Sequence, residues 1–139
     1  MCFYLRRRIT VLYSGALAEA LPPDNPSLKV DGEQAVYTIQ TPGRGAEQDW
    51  AKARELFHLL RSIEHPETDA TDDPAVQAQL TAIELMLWND AVALVEKHAA
   101  VIKAVAEKLV VRTTFPGEER LLQPADLDEL PEIQSITSQ

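Results

Sequence analysis

The sequence predicts a mainly α fold: a compact helical bundle of about four helices with one irregular segment at 22–45. Three observations predict it. Apolar residues recur at helical spacing over three long stretches. No run of alternating apolar and polar residues finds a second run to pair with. The single cysteine, Cys2, excludes a disulfide scaffold. At 139 residues the chain has the size of one domain. A domain of that size buries about two thirds of its extended-chain surface and needs no metal or disulfide to fold.

The first helix is predicted from about residue 3 to 20. Leu5, Ile9, Leu12, Tyr13, Ala16, Leu17, Ala20 and Leu21 form one stripe along it. Pro22-Pro23 stops it, because proline donates no helical hydrogen bond and restricts the residue before it. Pro26, Asp31-Gly32, Pro42, Gly43 and Gly45 punctuate the next stretch. Inside it, Ala35–Ile39 reads equally as a short strand or a helical turn. Its β-branched content favours the strand, and its lack of a partner argues against one.

A second helix is predicted over about 46–63, with Trp50, Ala53, Leu56, Phe57, Leu60 and Ile63 as its stripe. Glu47 and Asp49 in its first turn and Arg61 in its last suit the helix dipole. His65-Pro66 ends it, and the acidic stretch 64–73 is a loop. Asp73 is placed as the N-cap of the third helix, with Pro74 as its first residue. Its stripe runs through Leu80, Ile83, Leu87, Ala91, Leu94, Val101, Ile102, Val105 and Leu109, with His98 on the same side. Unbroken from 74 to 112 this helix would span about 60 Å at ~1.5 Å per residue. That exceeds a compact domain of this size, so a break is expected at 96–99, with His98 at least half buried and hydrogen-bonded. Phe115-Pro116-Gly117-Glu118 fits a type II turn. A short terminal helix is expected near 124–130. The domain is drawn as 1–133, with 134–139 a frayed tail.

The chain carries 13 basic and 22 acidic side chains, net −9, and the excess is one-sided. Residues 1–66 hold 8 of each sign, and 67–139 hold 5 basic and 14 acidic. Such a surface repels phosphate backbones, so no nucleic-acid partner is expected. Arg6-Arg7-Arg8 reads as a solvated helix face. The arginine run, the apolar stretch 9–18 and Ala18-Glu19-Ala20 imitate a signal peptide. Thr10, Tyr13, Ser14 and Gly15 interrupt that stretch, and the helical stripe favours a packed helix. No run reaches the roughly 18 apolar residues of a membrane span. A cytoplasmic location is the expectation.

Familiar catalytic signatures are missing: His-Glu-x-x-His, Gly-x-Ser-x-Gly, the P-loop and G-x-G-x-x-G. His58, His65 and His98 lie at no spacing that would put two imidazoles on one helix face for zinc. Each is read as structural. Pro42-Gly43-Arg44-Gly45 could offer backbone N–H groups to an anion, or be a plain turn into a helix. Asp49 heads an apolar stripe and points inward, either as a dipole-compensating carboxylate or as a metal ligand.

Three segments in order resemble the C-terminal part of the peptidase domain of FtsH-type ATP-dependent zinc metalloproteases. Arg8–Ala20 is similar to R-I-x-V-x-x-G-G-R-x-A-E-E. Gly45–Ala53 resembles G-A-x-x-D-L-x-x-A. Ala91–Glu119 resembles the closing A-x-x-L-L stretch that ends in L-x-G-x-E. The resemblance covers about residues 6–120. It places Asp49 at the position of the third zinc ligand. It departs at Ala16 and Ala20, where the family has arginine and glutamate, and 22–44 aligns poorly. The His-Glu-x-x-His helix, which supplies two ligands and the general base, has no counterpart here, nor has the ATPase module. One carboxylate does not hold catalytic zinc.

The resemblance therefore implies a non-catalytic helical domain that acts by binding another chain, inactive alone and with no cofactor expected. The alternative is part of a zinc metallopeptidase whose histidine-bearing segment comes from another chain or an upstream region, zinc then being held in trans. A third reading is a small-ligand module using the 22–45 loop and the core next to His98. A homodimer is expected through the first helix or the loop after it, because that helix's wide stripe would otherwise stay exposed.

Overall fold

A computed structural model describes residues 1–22, 24, 27–112 and 124–137. Among them the chain is helical throughout its regular structure, as the periodicity predicts. The elements are α1 (Cys2–Glu19), α2 (Gly32–Gln40), α3 (Glu47–Glu64), α4 (Asp73–Lys97), α5 (Ala99–Arg112), α6 (Pro124–Asp128) and α7 (Pro131–Thr137). The centre is α1, which packs along α3 and α4 and touches α2. The helices α3 and α4 form a hairpin, and α5 meets α7 beyond the break.

The predicted stripe of α1 is the core. Leu5, Ile9, Leu12, Tyr13, Ala16, Leu17 and Ala20 are all buried, and Leu21 packs partly against them. Its polar residues are absorbed by the helix itself: Thr10 donates to the carbonyl of Arg6 and Ser14 to that of Thr10. Arg6 ties the N-terminal turn to both neighbours, donating twice to Glu64 on α3 and once to the Met86 thioether on α4. Since α3 and α4 cover the stripe, the ground on which a dimer through this helix was expected is removed.

The segment expected to be irregular contains α2. The side chain of Asp31 accepts from the Gln34 amide at 3.0 Å, an N-cap with Gln at the third helical position. Ala35, Thr38 and Ile39 then face inward at helical spacing. A strand would have needed a partner; a capped turn needed only a surface to lie on, and α1 and α3 supply it.

The α4 cap is Asp72, one residue earlier than predicted, accepting from the Ala75 amide with Pro74 in the first turn. The helix stops at Lys97, and His98 is a turn residue before α5. The break falls where the length argument placed it. His98 is half-buried, but among the described residues its imidazole has no hydrogen-bond partner; its backbone amide donates to Leu94 and Val95 instead. The inward stripe of α4 is Ile83, Leu87, Ala91 and Val95, so Leu94 is exposed and Val95 takes its place. By length and composition alone α4 could cross a membrane. Here it is the outer partner of α1 and α3, and no membrane span is established.

At the far end, α6 and α7 replace the one terminal helix expected, and α7 runs to Thr137 through residues expected to fray. Gln134 donates to the Asp128 carbonyl, and Lys108 of α5 reaches Glu129 at 2.8 Å. The turn expected at 115–118 lies outside the described residues.

In α3, Ile63 is exposed and Arg61 is buried instead, 8% accessible. Its Nη2 donates to Ser62, while Nε and Nη1 are buried with no partner among the described residues. Such orphaned donors cost about 1–3 kcal/mol each. Arg61→Met keeps the aliphatic stem and removes them. Urea unfolding should show this variant more stable by about 1 kcal/mol. A loss of more than that would mean that the guanidinium is paired in solution.

Candidate functional site

The residues singled out in the sequence do not converge. Asp49 lies in the first turn of α3 beside α1, its Oδ2 3.9 Å from where a Cβ on Gly15 would stand. Two of the three family-like motifs therefore meet at this point. His58 is exposed on α3, His65 caps the C-terminus of α3 with Nδ1 3.7 Å from Glu67, and His98 sits at the α4–α5 break. Among the described residues no group of three His, Cys, Asp or Glu side chains could hold a metal ion. Asp49 with these surroundings does not fit a catalytic zinc.

The glycine loop before α3 does bind an anion, and the anion is its own. Gly43 and Gly45 hold φ of +83° and +88°, which turns both amides inward. The Glu47 carboxylate accepts from Gly43 and, at 3.0 Å, from Gly45. Its own backbone amide and that of Gly43 hold its carboxyl below the usual range. The side chain that follows the loop thus fills it. Arg44 projects from the loop over the Tyr37 ring, 5.3 Å from its centroid.

The densest chemistry lies where α1, α3 and α4 meet. Tyr13 is only 2% accessible. Its ring contacts Trp50 and Phe57 of α3, both with centroids at 5.8 Å, and Trp88 of α4 edge-on at 5.3 Å. Its hydroxyl donates to Glu84 Oε1 at 3.0 Å. Burial, then the Glu84 charge, push the phenol well above its ordinary range. Two adjoining hollows of about 280 and 200 Å³ open over this cluster and share Trp50, Thr81 and Glu84. The larger lies between α2 and α4, walled by Val36, Ile39, Leu85 and Trp88. The smaller lies between α3 and α4 and includes Arg54, Phe57 and His58. Arg54 stands 5.9 Å over the Trp50 ring.

In the sequence Trp50 and Tyr13 stand out only as members of apolar stripes, and Glu84 and Trp88 belong to no motif. A signal was present: Glu84 and Trp88 stand four apart on one helix, an acid and an indole on the flank of an apolar stripe.

A separate cavity of about 580 Å³ lies where the end of α1, with Leu21, Pro22 and Leu28, faces α5. Leu21, Leu28, Ile102 and Val110 line it, and Lys103 and Glu107 are its charged groups. Leu28 holds φ of +53°, unusual for a branched side chain. This is the region in which the small-ligand reading placed its site, although Ala99 and Ile102 line it rather than His98.

No family model, curated protein or solved structure matches this chain. The resemblance to FtsH-type peptidases rests on its three motifs.

The buried phenol makes a pH prediction. Up to about pH 10 Tyr13 is protonated in both the folded and the unfolded chain, and its contribution is constant. Above that the unfolded chain ionises while the folded one resists. Stability should fall by about 1.4 kcal/mol per pH unit from this group. Denaturant unfolding between pH 9 and 11 should show the fall in the native protein and a shallower one in Tyr13→Phe, which is also less stable at pH 7 by about 1–2 kcal/mol.

Proposed function

We propose that this chain is a non-catalytic helical domain that works by binding another polypeptide. The observation that supports this most directly is the outward face of α4. Ala78, Ala82, Leu85, Met86, Ala93 and Leu94 are exposed along it, with Leu85 61% accessible. A helix apolar on both faces is covered on both faces in a working assembly. Among the described residues only the inner face of α4 is buried, at Ile83, Leu87, Ala91 and Val95. The net charge of −9 favours a basic partner, because it attracts one over distance and repels acidic competitors.

The second reading makes the chain one part of a zinc metallopeptidase whose histidine-bearing segment comes from elsewhere. The position of Asp49 beside Gly15, where two of the family-like motifs lie together, favours it. It requires at least two ligands that the described residues do not bring to Asp49.

The first reading is tested by selection from a random peptide display library on the full chain. It predicts convergence on sequences that combine apolar residues with lysine or arginine. Failure to converge, or convergence on acidic peptides, would contradict it. The second is tested by metal analysis after dialysis against a weak chelator. The proposed function predicts no stoichiometric zinc and no change in metal content or thermal stability beyond about 0.5 kcal/mol on Asp49→Asn. One zinc per chain, lost in that variant, would establish the metallopeptidase reading instead.

A further inference from the structure

We infer that the hollow between α2 and α4 is the seat of a lysine side chain from the partner polypeptide, with Glu84 as its counter-ion. This rests on the protein-binding reading and specifies where and by what chemistry it operates. The hollow has apolar walls in Val36, Ile39 and Leu85, two indoles in Trp50 and Trp88, and one carboxylate. Among the described residues no cation lies within ion-pair distance of Glu84. A half-buried carboxylate with apolar neighbours is poorly solvated and gains from an arriving cation. Indole faces add to that attraction, as in the aromatic cages that recognise ammonium groups.

The size of the site and the state of Glu84 select the cation. About 280 Å³ is at or below the lower limit of pockets that enclose a free small molecule, and suits one side chain. One oxygen of Glu84, Oε1, already accepts from Tyr13. A guanidinium fork prefers both oxygens of a carboxylate, whereas an ammonium is satisfied by one. The geometry thus suits lysine better than arginine. Among the described residues that line the two hollows Arg54 is the one cation that opposes it; it lines the smaller hollow together with Glu84 and stands over the Trp50 ring. The exposed apolar face of α4 continues from Leu85, so a chain whose lysine is seated there also covers that face.

Trp50 and Trp88 are the only tryptophans in the chain and both line this hollow, so tryptophan emission reports on it and, through Trp50, on the smaller hollow beside it. The full chain is titrated with a twelve-residue Leu/Ala/Ser peptide carrying one central lysine, with the same peptide carrying norleucine, and with hexylammonium chloride. The lysine peptide should change the emission with an affinity at least tenfold better than the norleucine peptide, and better than hexylammonium. Glu84→Gln, which still offers Tyr13 an acceptor, should cost at least tenfold for the lysine peptide and leave the norleucine peptide unaffected. Arg54→Gln should tighten the lysine peptide several-fold. Equal binding of the two peptides, or indifference to Glu84→Gln, overturns the inference. Hexylammonium binding as tightly as the peptide overturns the polypeptide source. Should library selection yield basic peptides that leave the tryptophan emission unchanged, the protein-binding reading stands and this site does not.

Discussion

The rest of the structure depends on burying Tyr13 at the junction of three helices. The residue offers a large apolar ring and one polar atom that must be matched. Trp50, Phe57 and Trp88 close around the ring at distances and tilts that suit aromatic pairs. Glu84 matches the hydroxyl. These partners come from α3 and α4, so one side chain fixes the rotation of both helices against α1. That rotation sets which residues of α4 look inward and leaves Leu85 and the apolar flank outside. Among the described residues the same contact engages one oxygen of Glu84, Oε1, and the other accepts no hydrogen bond.

A second constraint acts where the long helix ends. Glu96, just before the break, accepts from the Val30 amide and pairs with Lys29 at 2.9 Å. The Lys29 ammonium and the Val30 amide hold its carboxyl below the usual range. One carboxylate therefore anchors the strap between α1 and α2 to the end of α4. The Asp31 amide adds a bond to the Ala20 carbonyl, and α2 starts from that point. The position of α2, which walls the larger hollow, is thus set from α4 as much as from its own sequence.

The bundle was legible because burial in long helices leaves a periodic record. Every member of the predicted α1 stripe is buried except Leu21, which packs partly against the core, and a helix too long for the domain had to break, as it does at His98. Where one residue decides, the sequence was less informative. Arg61 occupies an inward position that the pattern gave to Ile63, because a long aliphatic stem packs like an apolar residue while its charge disguises it. In α2, β-branched content and the lack of a partner strand left strand and helical turn open; the cap at Asp31 and the 35, 38, 39 spacing decide for the helix. The glycine loop read either as an anion cradle or as a plain turn, and its occupant, Glu47, follows it by two residues and was assigned to the helix dipole. The Tyr13–Glu84 bond joins residues 71 apart, and no local pattern announces it.

The proposed binding rests on the same junction: a buried tyrosine that holds one oxygen of Glu84 in a hollow lined by two indoles, beside an apolar helix face exposed among the described residues. The most direct test is a double-mutant cycle between Tyr13 and Glu84 by denaturant unfolding at pH 7, using Tyr13→Phe, Glu84→Met, which removes the acceptor, and the double variant. If the pair is coupled as described, the two losses are non-additive, with a coupling energy of about 1 kcal/mol or more. Additive losses, within about 0.3 kcal/mol, would mean that Glu84 is not held by Tyr13 and would contradict the account.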